Sequence, residues 1–338
     1  MLVFMKHDTP EAAIRSLVIQ LSREGIGVAR AESAGRALLT LVGPTWTLDE
    51  QRLLALPYVD EMKRLTPVWR LADRRNHPEN TVVTVGETRI GEGFCLMAGP
   101  CAIESAFQMQ SVARSVKAAG ASILRGGAYK PRTSPYTSQG MGERGLDLLK
   151  EASAELDMPV VTEVMDPRDV QVFLDKKIDV MQIGARNAQN FPLLKEVGKT
   201  QTPILLKRGM SGTVDELLMA AEYIMSEGND NVILCERGIR TFETSMRNTL
   251  DLAGVVMLHK MTHLPVVVDP SHACGHAWMV PELAKAAVAA GADGLMIEVH
   301  NNPAKAKCDG AQSLTPDQFD ELMQFIGKEV EFFGKKMN

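Results

Sequence analysis

The stretch FCLMAG, residues 94–99, is the first of eight short apolar runs that decide the fold of this chain. Longer segments with helical character separate the runs, such as MGERGLDLLKEASAEL at residues 141–156. Apolar strands that alternate with helices are typical of βα units around a parallel sheet, because helices cover both faces of such a sheet. The strands are predicted at residues 94–99, 122–126, 159–164, 179–184, 203–208, 231–236, 265–270 and 294–299.

Eight strand–helix units in about 240 residues predict an α/β fold, a (β/α)8 TIM barrel. An open doubly wound sheet is the alternative, but no G-x-G-x-x-G turn opens its first crossover. We therefore expect the barrel over residues 81–338, with a β-hairpin in TVVTVGETRIGEG (81–93) before the first strand.

Residues 1–66 have a different order of elements. Strand, helix, strand, strand, helix and strand are predicted between LVFMK and YVDEMKRLT, which is the ferredoxin-like βαββαβ order. PVWRLADRRNHPEN, residues 67–80, is polar and contains a proline near each end, so it is predicted to be a linker. A small N-terminal ferredoxin-like α+β domain is thus expected before the barrel.

Composition excludes several classes of function. The 338 residues are 45% hydrophobic and 23% charged, which is typical of a folded, soluble protein. The net charge of −5 argues against nucleic acid or an anionic membrane as a partner. A membrane-spanning helix needs about 18 consecutive apolar residues, and no apolar run in this sequence approaches that length. The N-terminus lacks the pattern of a secretory signal, so a cytoplasmic location is expected.

Cationic side chains collect at the predicted carboxyl ends of the strands, where a barrel builds its active site. They are Arg125, Lys130, Arg132, Arg186, Lys207 and Arg237. A single such cation would be interpreted as the partner of a neighbouring carboxylate. Here the cations outnumber the nearby Glu163 and Glu236, so the sequence predicts a site for a phosphate or carboxylate ligand.

A second group has the donor types of a transition-metal site. Its members follow strands that a barrel brings together, since strands 8 and 1 are neighbours: Cys101, His272, Glu298 and Asp309. This donor set suits Mn²⁺, Fe²⁺, Co²⁺ or Zn²⁺. Taken alone, a cysteine is more often a small buried hydrophobe, and a histidine a satisfied polar residue.

The remaining cysteines are interpreted separately. Five cysteines in a chain of this length do not make a disulfide framework, so reduced thiols are expected. Cys274 and Cys308, together with His276, are alternative metal ligands because they lie close to His272 or Asp309 in the sequence. Cys95 and Cys235 lie inside apolar strands and are interpreted as structural.

Several motifs carry a resemblance to a known family. They are GPCAIES (99–105), RGGAYKPRTSPY (125–136), QIGARNAQN (182–190), LLKRG (205–209), CERGIRTFE (235–243), VDPSH (268–272) and IEVH (297–300). The chain resembles 3-deoxy-D-arabino-heptulosonate 7-phosphate (DAHP) synthases, in particular the short microbial class similar to 3-deoxy-D-manno-octulosonate 8-phosphate (KDO8P) synthases. The resemblance implies a metal-dependent barrel that condenses phosphoenolpyruvate with erythrose 4-phosphate, the entry step of aromatic amino-acid biosynthesis.

The resemblance also implies roles for residues. Phosphoenolpyruvate would bind Arg125, Lys130, Arg186, Lys207 and Arg237. Erythrose 4-phosphate would bind Lys130, Pro131, Arg132, Thr133 and Ser134, with its phosphate on Arg132 and Thr133. Cys101, His272, Glu298 and Asp309 match the metal ligands, and the catalytic residues would be Lys130, Glu163, Cys101 and His272. Glu163 could orient the attacking water, and a metal-bound or lysine-linked water is an equal alternative.

Similarity to the family further implies that residues 1–66 form a regulatory domain that binds Phe or Tyr, and that the protein is a homo-oligomer, with a tetramer favoured. A domain that only caps the barrel or mediates assembly is the alternative.

Three other functions are alternatives for the whole chain. A KDO8P synthase would use arabinose 5-phosphate, but its loop reads KANRTS where this chain has KPRTS (130–134). A non-catalytic sensor of phosphorylated metabolites and a metal-dependent aldolase are the others.

Overall fold

The structure, a computed structural model, describes residues 1–33, 35–43, 45, 48–64, 69–132 and 134–338. The chain divides into two compact units, Met1–Arg70 and Leu71–Asn338. The domain boundary expected after residue 66 falls in 65–68, outside the described residues.

The expected linker is, from Leu71 onward, part of the second unit. Asp73 is buried and pairs with Thr262, and Arg74 N donates to Met261 O at 3.1 Å. The polar residues of this segment therefore have partners about 190 residues away in the sequence, which local composition does not reveal.

The first unit has the ferredoxin-like βαββαβ order that the sequence predicts. Its antiparallel sheet has the strand order β2-β3-β1-β4. The elements are β1 (Leu2–Met5), α1 (Glu11–Arg23), β2 (Gly27–Ser33), β3 (Arg36–Val42), α2 (Glu50–Leu54) and β4 (Val59–Lys63). Ile14, Leu17 and Leu21 lie on one face of α1 and share a core with Val3 and Leu39 of the sheet.

The second unit is a closed barrel of eight parallel strands, which confirms the predicted fold. The strands are β7 (Cys95–Gly99), β8 (Ile123–Arg125), β9 (Val160–Val164), β10 (Val180–Ile183), β11 (Ile204–Lys207), β12 (Val232–Glu236), β13 (Val266–Val268) and β14 (Gly294–Glu298). Each lies within its predicted range. The last strand pairs with the first, with Glu298 opposite Gly99, so the residues that follow these strands lie side by side.

Helices connect the strands on the outside of the barrel, as βα units require. They are α3 (Ala106–Ala118), α4 (Glu143–Leu156), α5 (Val170–Asp175), α6 (Phe191–Gly198), α7 (Val214–Met225), α8 (Leu252–Met261), α9 (Pro270–Cys274), α10 (Val280–Ala289) and α11 (Pro316–Phe332). Among the described residues, none of the helices has the length and apolar character needed to cross a membrane.

A β-hairpin precedes the barrel, as predicted. It consists of β5 (Val83–Val85) and β6 (Thr88–Ile90). Val83, Val85 and Ile90 belong to the same buried core as strand residues such as Cys95 and Met296. These three residues come before the strands in the chain and share a core with Cys95, the first residue of β7, so the opposite, carboxyl end of the strands is free to form a site.

Candidate active site

The four predicted metal ligands come together at the carboxyl end of the barrel. Their ligand atoms all lie within 4.8 Å of one another. His272 Nε2 is 3.2 Å from Glu298 Oε1 and 3.9 Å from Asp309 Oδ2. Cys101 Sγ is 3.4 Å from the same Asp309 oxygen. Ligands that bind a first-row ion at about 2.0–2.3 Å lie roughly 3–4.5 Å apart, so these residues fit such an ion.

Asp269 orients the imidazole of this cluster. Its Oδ2 lies 2.7 Å from His272 Nδ1, and its Oδ1 accepts from His272 N at 2.9 Å. Lys207 forms an ion pair with the same carboxylate. Burial opposes ionisation, yet His272 and Lys207 hold the pKa of Asp269 well below its usual value. Nε2 of His272 therefore faces the other ligands, the arrangement found where a carboxylate fixes a metal-binding histidine.

Two groups contact Cys101. Cys308 Sγ is 3.2 Å from Cys101 Sγ, and Lys130 Nζ donates to Cys101 O at 3.0 Å and lies 3.1 Å from the sulfur. The hydrogen bond with Cys308, together with burial, raises the pKa of Cys101. The same hydrogen bond lowers the pKa of Cys308 to about 7. Cys308 is thus a neighbour of the cluster rather than one of its four members.

Cys274 and His276, the other two alternative ligands, are not members of the cluster either, and the Cys274 thiol is engaged elsewhere. It donates to Pro270 O at 3.1 Å. Cys95 and Cys235 are fully buried in β7 and β12, and burial raises the pKa of both thiols. These three cysteines contribute to packing and not to the cluster.

A cationic cleft lies beside the cluster. All six cations predicted from the sequence line it, together with Arg247. Of the carboxylates, Glu163 and Asp309 line it. Glu236 does not, because it is buried in an ion pair with Arg208 at 3.0 Å. The positive charge of the cleft is therefore only partly balanced.

Three of the cations have a carboxylate partner. Arg125 Nη1 is 3.0 Å from Glu298 Oε1, and it also donates to Pro100 O at 2.6 Å. Lys207 pairs with Asp269, and Arg247 Nη1 is 3.3 Å from Asp309 Oδ2. These pairs hold the side chains in place at the mouth of the barrel.

Arg237 is buried and forms no ion pair with the residues that the structure describes. It is 4% exposed, and its guanidinium donates to Gly238 O at 3.3 Å. In the part of the chain that the structure describes, neither Arg237 nor the exposed Arg186 forms an ion pair. Burial lowers the pKa of Arg237. An uncompensated buried charge is costly, so this position is suited to an anionic ligand.

Glu163 offers a free carboxylate oxygen to the cleft. Its Oε2 accepts from Gln182 Nε2 at 3.3 Å, while its buried Oε1 has no hydrogen-bond partner among the residues described. Burial raises the pKa of Glu163, although Lys130 and Lys207 act against the shift. A methyl group at position 184 would overlap Oε1, so Gly184 is needed for this orientation. The free oxygen can hold a water molecule or accept a proton.

The predicted sugar-phosphate segment lies partly at the cleft. Lys130, Pro131 and Arg132 line it, and Arg132 Nε donates to Ser138 O at 3.0 Å. Ser134 Oγ accepts from Tyr136 N at 3.3 Å within its own turn and does not line the cleft. Thr133 lies outside the described residues.

Comparison with known proteins identifies the family. The profile of the DAHP synthetase I family matches residues 78–332, which is most of the chain. The chain belongs to this family. It is accordingly an enzyme, a transferase of the DAHP synthase type.

Relatives extend the match beyond the barrel. A phospho-2-dehydro-3-deoxyheptonate aldolase of Thermotoga maritima is 42% identical over 339 residues and is covered completely, as is this chain. The crystal structure of a T. maritima protein of that name has a TM-score of 0.92 at 41% identity, covering 100% of this chain and 99% of the other. A 2-dehydro-3-deoxyphosphooctonate aldolase of Granulibacter bethesdensis is 31% identical over 289 residues, which are 78% of this chain and 99% of that protein.

Two residues of this family member were assigned no role from the sequence. Asp269 directly follows β13, and its position at a strand end is the signal that could have identified it. Arg247 lies in the long loop before α8, eleven residues after β12, and carries no such signal. Its place at the site depends on the path of that loop.

Proposed function

We propose that this DAHP synthase family member condenses phosphoenolpyruvate with erythrose 4-phosphate and water to give DAHP and phosphate, as the first step of the shikimate pathway in the cytoplasm. The observation that carries this proposal is Arg237, a buried guanidinium that forms no ion pair with any described residue and lines a cationic cleft next to the four-ligand cluster. The full-length similarity to the T. maritima enzyme supports the same reaction.

Phosphoenolpyruvate binds to the five cations Arg125, Lys130, Arg186, Lys207 and Arg237 in this proposal. A phosphate carries about −1.5 to −2 charges at neutral pH, and the carboxylate adds another. Arg186 and Arg237 have no carboxylate partner among the described residues, so they are free to take the phosphate. Arg125, Lys130 and Lys207 are held by protein groups and are fixed in direction before the substrate binds.

A divalent cation, Mn²⁺, Fe²⁺, Co²⁺ or Zn²⁺, would be held by Cys101, His272, Glu298 and Asp309 and would polarise the aldehyde oxygen of the sugar. The donor chemistry and the spacing of these four residues support the assignment. Lys130 contacts Cys101 and lines the cleft, so it connects this site with the phosphoenolpyruvate site.

The order of bond changes follows from the substrates. C3 of phosphoenolpyruvate attacks the aldehyde carbon, which leaves positive character at C2. Water adds to C2, and the resulting phosphohemiketal loses phosphate by cleavage of the C–O bond. Glu163 is suited to orient this water because it lines the cleft and its buried Oε1 has no hydrogen-bond partner in the described structure. The alternative is a water bound near Lys130.

The sugar substrate is assigned through Pro131 and Arg132. Proline restricts the loop, and Arg132 lines the cleft without a carboxylate partner among the residues described. The phosphate of erythrose 4-phosphate would bind here, with Ser134 and Thr133 completing the segment. A KDO8P synthase, with arabinose 5-phosphate, is the second candidate, since a 2-dehydro-3-deoxyphosphooctonate aldolase is 31% identical over 78% of this chain.

Substrate consumption tests this assignment. Metal-stripped protein is supplied with Mn²⁺, and the loss of phosphoenolpyruvate absorbance is followed with erythrose 4-phosphate or arabinose 5-phosphate. We expect metal-dependent loss with the four-carbon sugar only. If phosphoenolpyruvate were consumed with the five-carbon sugar only, the chain would be assigned as a KDO8P synthase. If it were consumed with neither sugar, a non-catalytic sensor would be favoured.

Regulation is proposed for the first unit. Its ferredoxin-like fold has a core of its own, which supports a separate function such as binding Phe or Tyr. The protein is proposed to be a homo-oligomer, with a tetramer favoured. Initial rates of the full chain with increasing Phe or Tyr, together with its mass by light scattering, test both points. If neither Phe nor Tyr changed the rate, the regulatory proposal would be contradicted and a structural role for the first unit would be favoured.

A further inference from the structure

Two side chains that are not among the predicted site residues each contact one carboxylate of the four-ligand cluster: Gln312 contacts Glu298, and Arg247 contacts Asp309. Gln312 ends the turn Gly310–Gln312, three residues after Asp309, and is 2% exposed. Arg247 comes from the loop between β12 and α8. These two residues, called the carboxylate clamp below, are hydrogen-bonded to each other at 2.9 Å.

The hydrogen bonds of Gln312 have a fixed polarity. A guanidinium carries donors only, so the amide atom that faces Arg247 Nη1 is the oxygen Oε1. The amide nitrogen then faces the other way and donates to Glu298 Oε2 at 2.6 Å. The opposite orientation of the amide would pair two donors at Arg247 and two acceptors at Glu298, so it is excluded.

Gln312 therefore occupies one of the two oxygens of Glu298. The other, Oε1, lies 3.0 Å from Arg125 Nη1 and 3.2 Å from His272 Nε2. Oε1 therefore faces the other members of the cluster, whereas Oε2 accepts the hydrogen bond from the Gln312 amide. Glu298 is fully buried, so rotation of the carboxylate would break the bonds to Gln312 and Arg125 in an environment without water to replace them.

Arg247 connects this arrangement to the other ligands. The same Nη1 that donates to Gln312 lies 3.3 Å from Asp309 Oδ2. Its backbone N donates to Cys274 O, at the end of the helix that carries His272. Gly275 allows this approach, since a Cβ there would lie 2.7 Å from Arg247 Cβ. One arginine thus links the loops of three of the four ligands.

We propose that the carboxylate clamp holds Glu298 as a one-oxygen ligand and fixes Asp309, and that it thereby sets which metal ions the cluster prefers. This inference rests on the metal site of the proposed function. Carboxylates that offer both oxygens suit larger ions with more ligands, whereas those that offer one suit smaller first-row ions. Arg247 and Gln312 act as positioning residues and do not touch the ion.

Gln312→Met tests the clamp, because Met has a similar volume and lacks the amide. Dissociation constants for Mn²⁺, Co²⁺ and Cd²⁺ are measured on the metal-stripped full chain by competition with a chelating dye, without substrate. We expect Mn²⁺ and Co²⁺ to bind about 10–100-fold more weakly to the variant. The larger Cd²⁺ should lose less affinity, because Glu298 can then offer both oxygens.

The spectrum of bound Co²⁺ separates a changed geometry from a lost ligand. In Gln312→Met the visible bands should weaken as the coordination number rises. The thiolate-to-cobalt band should persist, since Cys101 still binds. Arg247→Met should have the same effects, and the double variant should be no worse than either single one, because the two side chains act as one unit.

A matched control is Gln324→Met, an exposed glutamine on α11 whose amide bonds Asp320. It should bind all three ions as the parent does. Circular dichroism and the melting temperature of the metal-free proteins establish that the variants fold, and Arg247→Met carries the test if Gln312→Met does not. If the parent binds metal and the variants match it within about threefold for every ion, the clamp is wrong and the metal site stands. If the parent binds no ion, both are wrong.

Discussion

At the scale of single residues, Arg237 and Lys207 are both buried cations of the cleft but differ in their partners. Lys207 pairs with the buried Asp269, whereas the guanidinium of Arg237 donates to Gly238 O and has no carboxylate partner in the described part of the chain. We expect Arg237→Met to raise the KM for phosphoenolpyruvate roughly 30-fold or more. Its metal-free melting temperature should not fall, because an uncompensated charge is removed.

Lys207→Met is the matched comparison, because it leaves Asp269 buried without its cation. Breaking such a pair costs about 3–5 kcal/mol, so this variant should lose both activity and stability. Urea unfolding of the two variants measures the difference. If Arg237→Met and Lys207→Met lowered the free energy of unfolding equally, the proposal that Arg237 binds an anionic ligand would be contradicted.

The raised pKa of Glu163 gives a pH dependence. Burial favours its protonated form in the folded state, so its contribution to stability is present below its ordinary value of 4.5 and is lost as the pH rises through the folded-state pKa. Relative to the parent, Glu163→Gln should therefore gain stability from about pH 5 to about pH 8. Urea unfolding at both values measures this, and a constant difference would contradict it.

The same substitution should lower kcat by about 10²–10⁴-fold, the range for a positioned acid or base. The acid limb of kcat/KM in the parent, which lies above pH 4.5 if it reports Glu163, should be absent from the remaining activity of the variant. Full activity in Glu163→Gln would instead favour the water bound near Lys130.

The positions of side chains at the candidate site were predictable from the sequence where one strand end sufficed to locate a side chain. Arg125, Glu163 and Glu298 follow or end an apolar run, so the barrel alone directs them to its carboxyl end. Gln312 and Arg247 act through hydrogen bonds between loops 65 residues apart. Such partners depend on the path of the loops, which no local pattern records.

At the scale of elements, the eight strands were predictable because each is buried on both faces and bounded by polar or glycine-rich sequence. The exact ends of the strands were not predictable. β8 and β13 are only three residues long, because their backbone pairing with neighbouring strands stops before the apolar run ends. The segment from Leu71 was expected to be a linker because it is polar. It belongs to the barrel unit because Asp73 and Arg74 pair with Thr262 and Met261, at the end of α8.

The short helix α9 places His272 and depends on the glycine that ends it. Gly275 has φ +76° and allows Arg247 to approach, so Gly275→Ala combines backbone strain with an overlap. We expect a loss of about 2–4 kcal/mol in urea unfolding. Gly334→Ala is the matched control, with φ +75° and no atom within 4 Å of the added methyl, and it should lose only about 1–2 kcal/mol.

At the scale of the whole molecule, the four-ligand cluster joins the two ends of the barrel sequence. Cys101 follows the first strand, His272 follows the seventh, Glu298 ends the eighth and Asp309 follows it. An ion that binds only the folded state stabilises it by RT ln(1 + [L]/Kd), about 2.7 kcal/mol at 100 times Kd. For a unit of this size that corresponds to a rise of roughly 5–10 °C in melting temperature.

We therefore expect Mn²⁺ to raise the melting temperature of the metal-stripped chain in a concentration-dependent way, and a chelator to reverse the rise. Calorimetry with increasing Mn²⁺ measures it. Cys101→Ala should abolish the shift, because it removes the thiolate that links the first strand to the last two. Cys308→Ala should retain it, although its sulfur is only 3.2 Å from Cys101, because Cys308 is not one of the four proposed ligands. If Cys308→Ala lost the shift and Cys101→Ala kept it, the assignment of the thiolate ligand would have to be exchanged.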